Sequence, residues 1–154
     1  MSLFNIFQIA SQGMTAQRER LEATSANLAN SETTRTAEGG PYRRRDVVFE
    51  TVGIPPGSST SSFGASFDSY LQSNGQAAQG VHSTTLVAQT NNGARRFEPN
   101  HPDADVDGYV TMPDVDPLEE TVNMMSAARS FEANTTAFNT AKEMARASLK
   151  LGDS

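Results

Sequence analysis

Of all the side chains in this sequence, four aspartates have the type and spacing best suited to chemistry, because they follow the pattern of a calcium-binding loop. They are Asp103, Asp105, Asp107 and Asp114. Alternating carboxylates followed by a glycine, here Gly108, and by a later acid are the ligand pattern of an EF-hand. That motif also needs flanking helices and a glutamate at its last position, whereas His101 and Pro102 precede this segment and residues 108–112 have the composition of a strand. We therefore favour a polar β-turn stabilised by aspartate side chains, and keep a calcium site as the alternative.

The remaining reactive side chains do not form a catalytic pattern. The chain has no cysteine, so thiolate chemistry and disulfides are excluded, and neither His82 nor His101 has a partner for catalysis in its local sequence. The run Arg43-Arg44-Arg45 could bind phosphate, but in a chain of net charge −6 we favour a solvated or subunit-contacting face. We expect no enzyme activity, no cofactor and no nucleic-acid partner.

The first residues lack the features of a secretory signal. Residues 1–7 carry no basic side chain, and Asn5, Gln8 and Ser11 interrupt the apolar residues that follow the start. No window approaches the roughly 20 apolar residues that a membrane-spanning helix needs. We expect neither a cleaved signal peptide nor direct insertion into a membrane, so export would require a dedicated apparatus.

Two long segments at the chain ends have the apolar periodicity of amphipathic helices. In residues 3–30, one large apolar residue recurs every seven positions, at Phe7, Met14, Leu21 and Leu28. In residues 117–150, the same spacing gives Met124, Phe131, Phe138 and Ala145. Asp116 is suited to be the N-cap of the second helix, Pro117 its first residue and Glu119 the second member of a capping box.

These stripes predict a surface through which the helices pair and assemble. Alanine, serine and threonine lie beside the large residues, which permits close helix approach and leaves each helix more than one face for packing. We expect the ends to complete their folding against neighbouring subunits. Asparagines beside such a seam often fix its register. The predicted assembly residues are Phe7, Met14, Leu21, Leu28, Asn30, Val122, Met124, Met125, Phe131, Asn134, Phe138 and Leu149.

The middle of the chain, residues 36–113, contains nearly all of the glycine and proline. Three runs have strand-like composition, at residues 46–51, 81–90 and 108–112, and Asn91-Asn92-Gly93 suits a hairpin turn. Residues 55–80 are rich in serine and glycine and predict a mobile loop. The sequence thus predicts an α+β fold: residues 1–35 and 114–154 pair as a coiled-coil-like inner domain, and residues 36–113 form a small β-rich outer domain.

Four segments resemble bacterial flagellar rod and hook proteins. The sequence SANLANSETTRT at residues 25–36 is similar to the turn that ends their N-terminal helix. Three further segments resemble the proximal-rod members of this family: PYRRRDVVF at residues 41–49, HPDADVDGYV at residues 101–110 and NMMSAARSFEAN at residues 123–134. Ser31-Glu32 and the long segment at residues 55–80 depart from the family pattern.

The resemblance implies a structural subunit of the proximal rod of the flagellar basal body, the drive shaft that carries torque from motor to hook. It implies export by the flagellar type III apparatus and a location in the rod where the rod crosses the periplasm. The implied partners are further copies of this chain, other rod proteins including the distal rod, and the adaptor that joins the rod to the MS ring. Two alternatives stay open: another axial protein, either the sister proximal-rod subunit or a distal-rod subunit, and a secreted calcium-binding module.

Overall fold

The described part of the chain contains two terminal helices and four strands. The computed structural model describes residues 3–53, 79–89 and 93–152. The elements in chain order are helix α1 (Leu3–Ala29), strands β1 (Arg45–Gly53), β2 (Gln79–Val87), β3 (Arg95–Phe97) and β4 (Tyr109–Thr111), and helix α2 (Pro117–Gly152). In the described ranges, β1 pairs with β2 and β3 pairs with β4 in two separate two-stranded sheets. The predicted α+β fold class is confirmed.

The ends of the helices follow the predicted local rules in most respects. The Asp116 carboxylate accepts the backbone N–H of Leu118 at 2.9 Å, as an N-cap does at the start of α2. Glu119, predicted to reach back to that cap, instead directs its Oε1 to Arg44 at 3.1 Å. At the end of α1, the Asn30 side-chain amide donates to the carbonyl of Ala26 at 2.8 Å and so satisfies one of the last free carbonyls of the helix.

The chain divides into two compact units, and both helices contribute to each. One unit contains residues 1–16, 49–82 and 131–154, and the other contains residues 17–48 and 83–130. Within the first unit, Phe7 contacts Phe138 and Met14 contacts Thr135, so the helices run antiparallel there. Within the second unit, Asn27 contacts Glu120 and Arg20 contacts Asn123, which is again antiparallel. The predicted division into an inner and an outer domain remains a prediction.

Among the apolar residues of the helix pair, small ones and not large ones occupy the most buried positions. The buried apolar residues of the two helices are Ala10, Ala16, Ala23, Ala127 and Ala141. Alanine at these positions lets the two backbones approach closely, and the large residues of the predicted stripes then lie half-buried on either side. The apolar core is therefore thin within each unit.

The strands form one pair from β1 and β2 and one antiparallel pair from β3 and β4. Strands β1 and β2 coincide with two of the predicted runs, and β4 with the third, whereas β3 was not predicted. Residues 91 and 92 of the predicted turn, and nearly all of the predicted loop at residues 55–80, lie outside the described residues. β3 and β4 are antiparallel, with Arg96 opposite Val110, and Val110 is buried.

The β3–β4 hairpin depends on a glycine. Gly108 has a φ of 78°, and a Cβ there would lie 2.9 Å from the ring of Phe97. A side chain at this position would meet both a disfavoured backbone conformation and the aromatic ring that packs against Tyr109. The glycine singled out in the aspartate loop therefore serves the turn.

Enlarging the seam should destabilise the protein. We expect Ala127→Leu to lower the free energy of unfolding by about 1–3 kcal/mol, because Ala127 is fully buried and extra methylene groups would overpack the helix interface. The matched change Ala133→Leu, at an exposed position of the same helix, should stay within about 0.5 kcal/mol. Urea unfolding followed by circular dichroism measures both; equal effects would contradict close approach at Ala127.

Candidate assembly surface

The helix seam of the first unit joins residues from both predicted stripes. The rings of Phe7 and Phe138 meet edge to face with centroids 5.0 Å apart, and the Thr135 hydroxyl lies 3.5 Å from the Met14 sulfur. Such aromatic pairs contribute about 0.5–1.5 kcal/mol beyond their buried area. Two of the predicted seam residues, one from each helix, are therefore directly in contact.

Gly13 allows a close approach of the two helices in this seam. A Cβ at Gly13 would lie 2.8 Å from the side-chain nitrogen of Asn134, so the asparagine side chain occupies the space that a larger residue would need. Asn134, which was predicted as an assembly residue, is half-buried against the opposite helix of its own chain. It therefore contributes to the intramolecular seam.

In the second unit, the Asn27 amide is the centre of a buried polar cluster. Its nitrogen donates to the carbonyl of Arg45 at 2.8 Å and to Glu120 Oε2 at 3.2 Å. Its oxygen accepts the backbone N–H of Arg45 at 2.9 Å and the hydroxyl of Tyr42 at 3.0 Å. All four hydrogen-bonding positions of this side chain are used, which is what burial of an amide requires.

Arg44 compensates the buried charge of Glu120. Its guanidinium lies 3.0 Å from Glu120 Oε1, and the same group contacts Glu119 and Asp46. The Glu120 Oε1 atom lies off the direction of an N–H bond, so its attraction to Arg44 is mainly Coulombic. Burial acts to lower the pKa of Arg44, but the hydrogen bond to Glu119 and the charges of all three acids together raise it. The arginine therefore stays charged beside the buried carboxylate.

The tyrosine of this cluster has a perturbed titration. Burial raises the pKa of the Tyr42 hydroxyl, the positive charge of Arg45 acts to lower it, and the negative charge of Glu120 raises it. The protonated hydroxyl is the form that donates to Asn27. The cluster is therefore built for the neutral tyrosine.

Two aspartates of the candidate calcium loop, Asp103 and Asp105, have separate partners. Asp103 accepts the Thr34 hydroxyl at 2.8 Å and pairs with Arg35 at 3.5 Å. Asp105 accepts the backbone N–H of Val106 at 2.7 Å and lies 3.4 Å from Arg95. Among the residues that the structure describes, no three histidine, cysteine or acidic side chains group so that they could hold a metal ion. Asp105 thus makes a local contact within the turn, whereas Asp103 joins this segment to the residues that follow α1.

The other predicted assembly residues differ in exposure. Val122, Met125 and Leu149 are 54%, 51% and 72% exposed, and Leu118 is 73% exposed. Leu118, Val122 and Met125 follow one another at helical spacing, so they form an apolar stripe on one face of α2. The half-buried members of the prediction are Phe7, Met14, Leu21, Leu28, Asn30, Met124, Phe131, Asn134 and Phe138.

In the described helices, no segment is long and apolar enough to cross a membrane.

The apolar pattern of the sequence did not predict the polar cluster around Asn27 or the contact of Gly13 with Asn134. A second heptad was available as a signal, because Glu120, Ala127, Asn134 and Ala141 also recur every seven residues and lie on the face that meets α1. The stripe of large apolar residues predicts the positions that flank this face.

Both ends of the chain match models of flagellar rod proteins. The model described as "Flagella basal body rod protein" matches residues 7–35, and the model described as "Flagellar basal body rod FlgEFG protein C-terminal" matches residues 106–151. These matches cover most of α1, the turn that follows α1, and nearly all of α2. The class of protein is thus that of flagellar rod subunits.

Full-length relatives narrow the class. The chain is 36% identical to the flagellar basal-body rod protein FlgC of Bacillus subtilis, with 99% of each chain covered. It is 39% identical to the FlgC protein of Borreliella burgdorferi over 98% of each chain, and 38% identical to that of Salmonella typhimurium over 99% of each chain. The chain belongs to the FlgC family of flagellar basal-body rod proteins. It is a structural subunit of the basal-body rod and assembles with other rod components.

Replacing the amide of Asn27 by a carboxylate should disrupt the second unit. We expect Asn27→Asp to cost about 3 kcal/mol or more, because it removes two donors and places a second carboxylate beside buried Glu120. The control Asn139→Asp makes the same chemical change at an exposed position of α2. Urea unfolding of both variants tests this, and similar midpoints would show that the buried cluster does not contribute.

Tyr42 should make stability fall at alkaline pH. Its pKa is raised in the folded protein above the value near 10 of an unfolded tyrosine, so its contribution is complete below about pH 10. That contribution is lost as the pH rises through the higher folded pKa. Tyr42→Phe should remove this part of the alkaline loss and cost about 0.5–1.5 kcal/mol at neutral pH through the lost hydrogen bond. Unfolding measured as a function of pH, with half-exposed Tyr109→Phe as the control, would reject this role if both variants gave the same curve.

Proposed function

We propose that this chain is a subunit of the proximal rod that polymerises through its terminal helices and transmits torque from motor to hook. The observation that carries the proposal is the exposed apolar stripe of α2 beside a seam that is closed mainly by alanine. A helix with one face paired internally and another face apolar and exposed is suited to packing against neighbouring subunits. The half-buried large residues offer further contact area on the flanks of the seam.

The proposed rod function also implies the partners and the location of this chain. The chain would contact further copies of itself, other rod proteins including the distal rod, and the adaptor between the rod and the MS ring. It would leave the cytoplasm through the flagellar type III apparatus without a cleaved signal peptide, and reside where the rod crosses the periplasm. Support comes from the match to rod proteins at both ends. No catalytic step is part of this function.

Two other assignments are less well supported. FlgC proteins match this chain over nearly its full length, which favours this subunit over another axial protein. A calcium-binding module would need the aspartates of residues 103–107 to converge, and in the structure Asp103 and Asp105 turn to different arginines.

A charge in the helix seam should block assembly. We expect Phe138→Asp to prevent rod assembly and swimming, because it breaks the ring contact with Phe7 and puts a carboxylate in the thin apolar seam. Phe131→Asp, at a half-buried position, should have the same effect. The control Ala137→Asp introduces the charge at an exposed position of the same helix.

Complementation of a strain lacking its own copy of this subunit measures the effect, with swimming in soft agar and rods counted in purified basal bodies. Full swimming with the charge at Phe138 would contradict the proposed role of the seam. Failure of the unchanged chain to restore swimming would contradict the proposed function itself.

A further inference from the structure

The second unit contains a recess lined by two arginines without an ion pair. The recess has a volume of about 300 Å³ and is lined by Thr36, Ala37, Pro41, Arg43, Arg45 and Val87, with Glu38 and Tyr42 also in its wall. Both arginines are exposed, and within the described residues neither forms an ion pair. Arg44 between them is turned to the acids of α2, as expected where successive side chains alternate sides along an extended chain. The recess thus has an apolar wall and an excess of positive charge.

Backbone hydrogen bonds fix the shape of this recess. The N–H of Thr36 donates to the carbonyl of Gly40 at 2.9 Å, and the N–H of Tyr42 donates to Thr33 at 3.0 Å. Gly39 and Gly40 have φ values of 86° and 77°, a conformation that glycine adopts without strain. On the other side, the N–H of Ala88 donates to Arg44 at 2.9 Å. A preformed site of this kind loses little conformational entropy when it is filled.

The tip of the β3–β4 hairpin has the complementary properties. Val106 is fully exposed, which is unusual for an apolar residue, and the exposed Asp107 beside it has no ion pair within the described part of the chain. Two backbone bonds close this tip: Asp105 donates to Tyr109 and Gly108 donates to Asp105, each at 2.8 Å. The tip is therefore a small, rigid projection that presents one apolar and one negative side chain together.

We propose that the Val106–Asp107 tip of one copy of this chain inserts into the arginine-lined recess of a neighbouring copy. Val106 would pack on Pro41 and Val87, and the Asp107 carboxylate would lie between Arg43 and Arg45. The combination of an apolar contact with opposite charges at its rim is what stabilises and orients a specific interface. This inference rests on the proposed function, because it names one contact of the polymer.

The contact joins two different patches, and this determines the kind of assembly it builds. Each copy carries both the tip and the recess, so every copy can give one contact and receive one. A contact between unlike patches continues as a ring or an open helix, whereas a contact between like patches stops at a dimer. Continued addition is the form of growth that a rod subunit needs.

Cysteine cross-linking tests the contact directly, since the natural chain contains no cysteine. Ala37→Cys chains and Val106→Cys chains are co-expressed in the strain lacking its own subunit, and purified basal bodies are oxidised. We expect a disulfide-linked dimer only when both variants are present, and no dimer with either variant alone. A dimer from Val106→Cys alone would reveal a tip-to-tip contact and overturn the inference.

Charge reversal gives an independent measurement on the same basal bodies. Arg45→Glu in the Ala37→Cys chain should lower the cross-linked fraction at least about tenfold, because the new carboxylate repels Asp107 of the other chain. Adding Asp107→Arg to the Val106→Cys chain should restore the cross-linked fraction. The hydrogen bonds of Arg45 to Asn27 use the backbone of Arg45, so both can form in this variant. Arg18→Glu, an exposed change on α1, serves as the control.

The outcomes separate this inference from the function on which it rests. If the cysteine chains restore swimming but form no cross-link, the recess is filled by something other than a second copy, and the inference is wrong while the rod function stands. If swimming is lost in Arg45→Glu and Asp107→Arg does not restore it, the inference is also wrong, because another rod protein then occupies the recess. If the unchanged chain restores no swimming, the proposed function itself fails.

Discussion

Close approach of the two terminal helices is the constraint on which the rest of the structure depends. It is possible because alanine fills the most buried apolar positions and because Gly13 leaves room for Asn134 on the opposite helix. Since alanine contributes little apolar area, the seam stabilises the chain only modestly. Large apolar residues that would close the core of a globular protein are half-buried or exposed here, and they remain available to other chains.

A thin apolar seam specifies the register of two helices poorly, and in the second unit the polar cluster specifies it instead. Asn27 is satisfied only when Glu120, Tyr42 and the backbone of Arg45 are all in place. A shift of α2 by one turn would leave a buried amide and a buried carboxylate without partners, at a cost of several kcal/mol. The cluster therefore selects one alignment of the helices, as single buried asparagines do in coiled coils.

The sequence predicted the elements well and the details of the seam less well. The start of α2 followed from Asp116 and Pro117, because capping depends on neighbouring residues only. The seam was placed on Phe7, Met14 and their heptad partners, whereas burial favours the small residues beside them; periodicity gives a face but not the distance between two helices. β3 was missed because three residues carry too little pattern, and it exists only through its pairing with β4.

The bonds of Asn27 also determine how stiff the second unit is where α1 meets β1. Its amide binds both the N–H and the C=O of Arg45, so the side chain takes the place of a neighbouring strand at the first residue of β1. The same amide reaches α2 through Glu120. Three elements thus meet at one side chain, so a rotation of either helix would strain the hydrogen bonds that hold the start of β1.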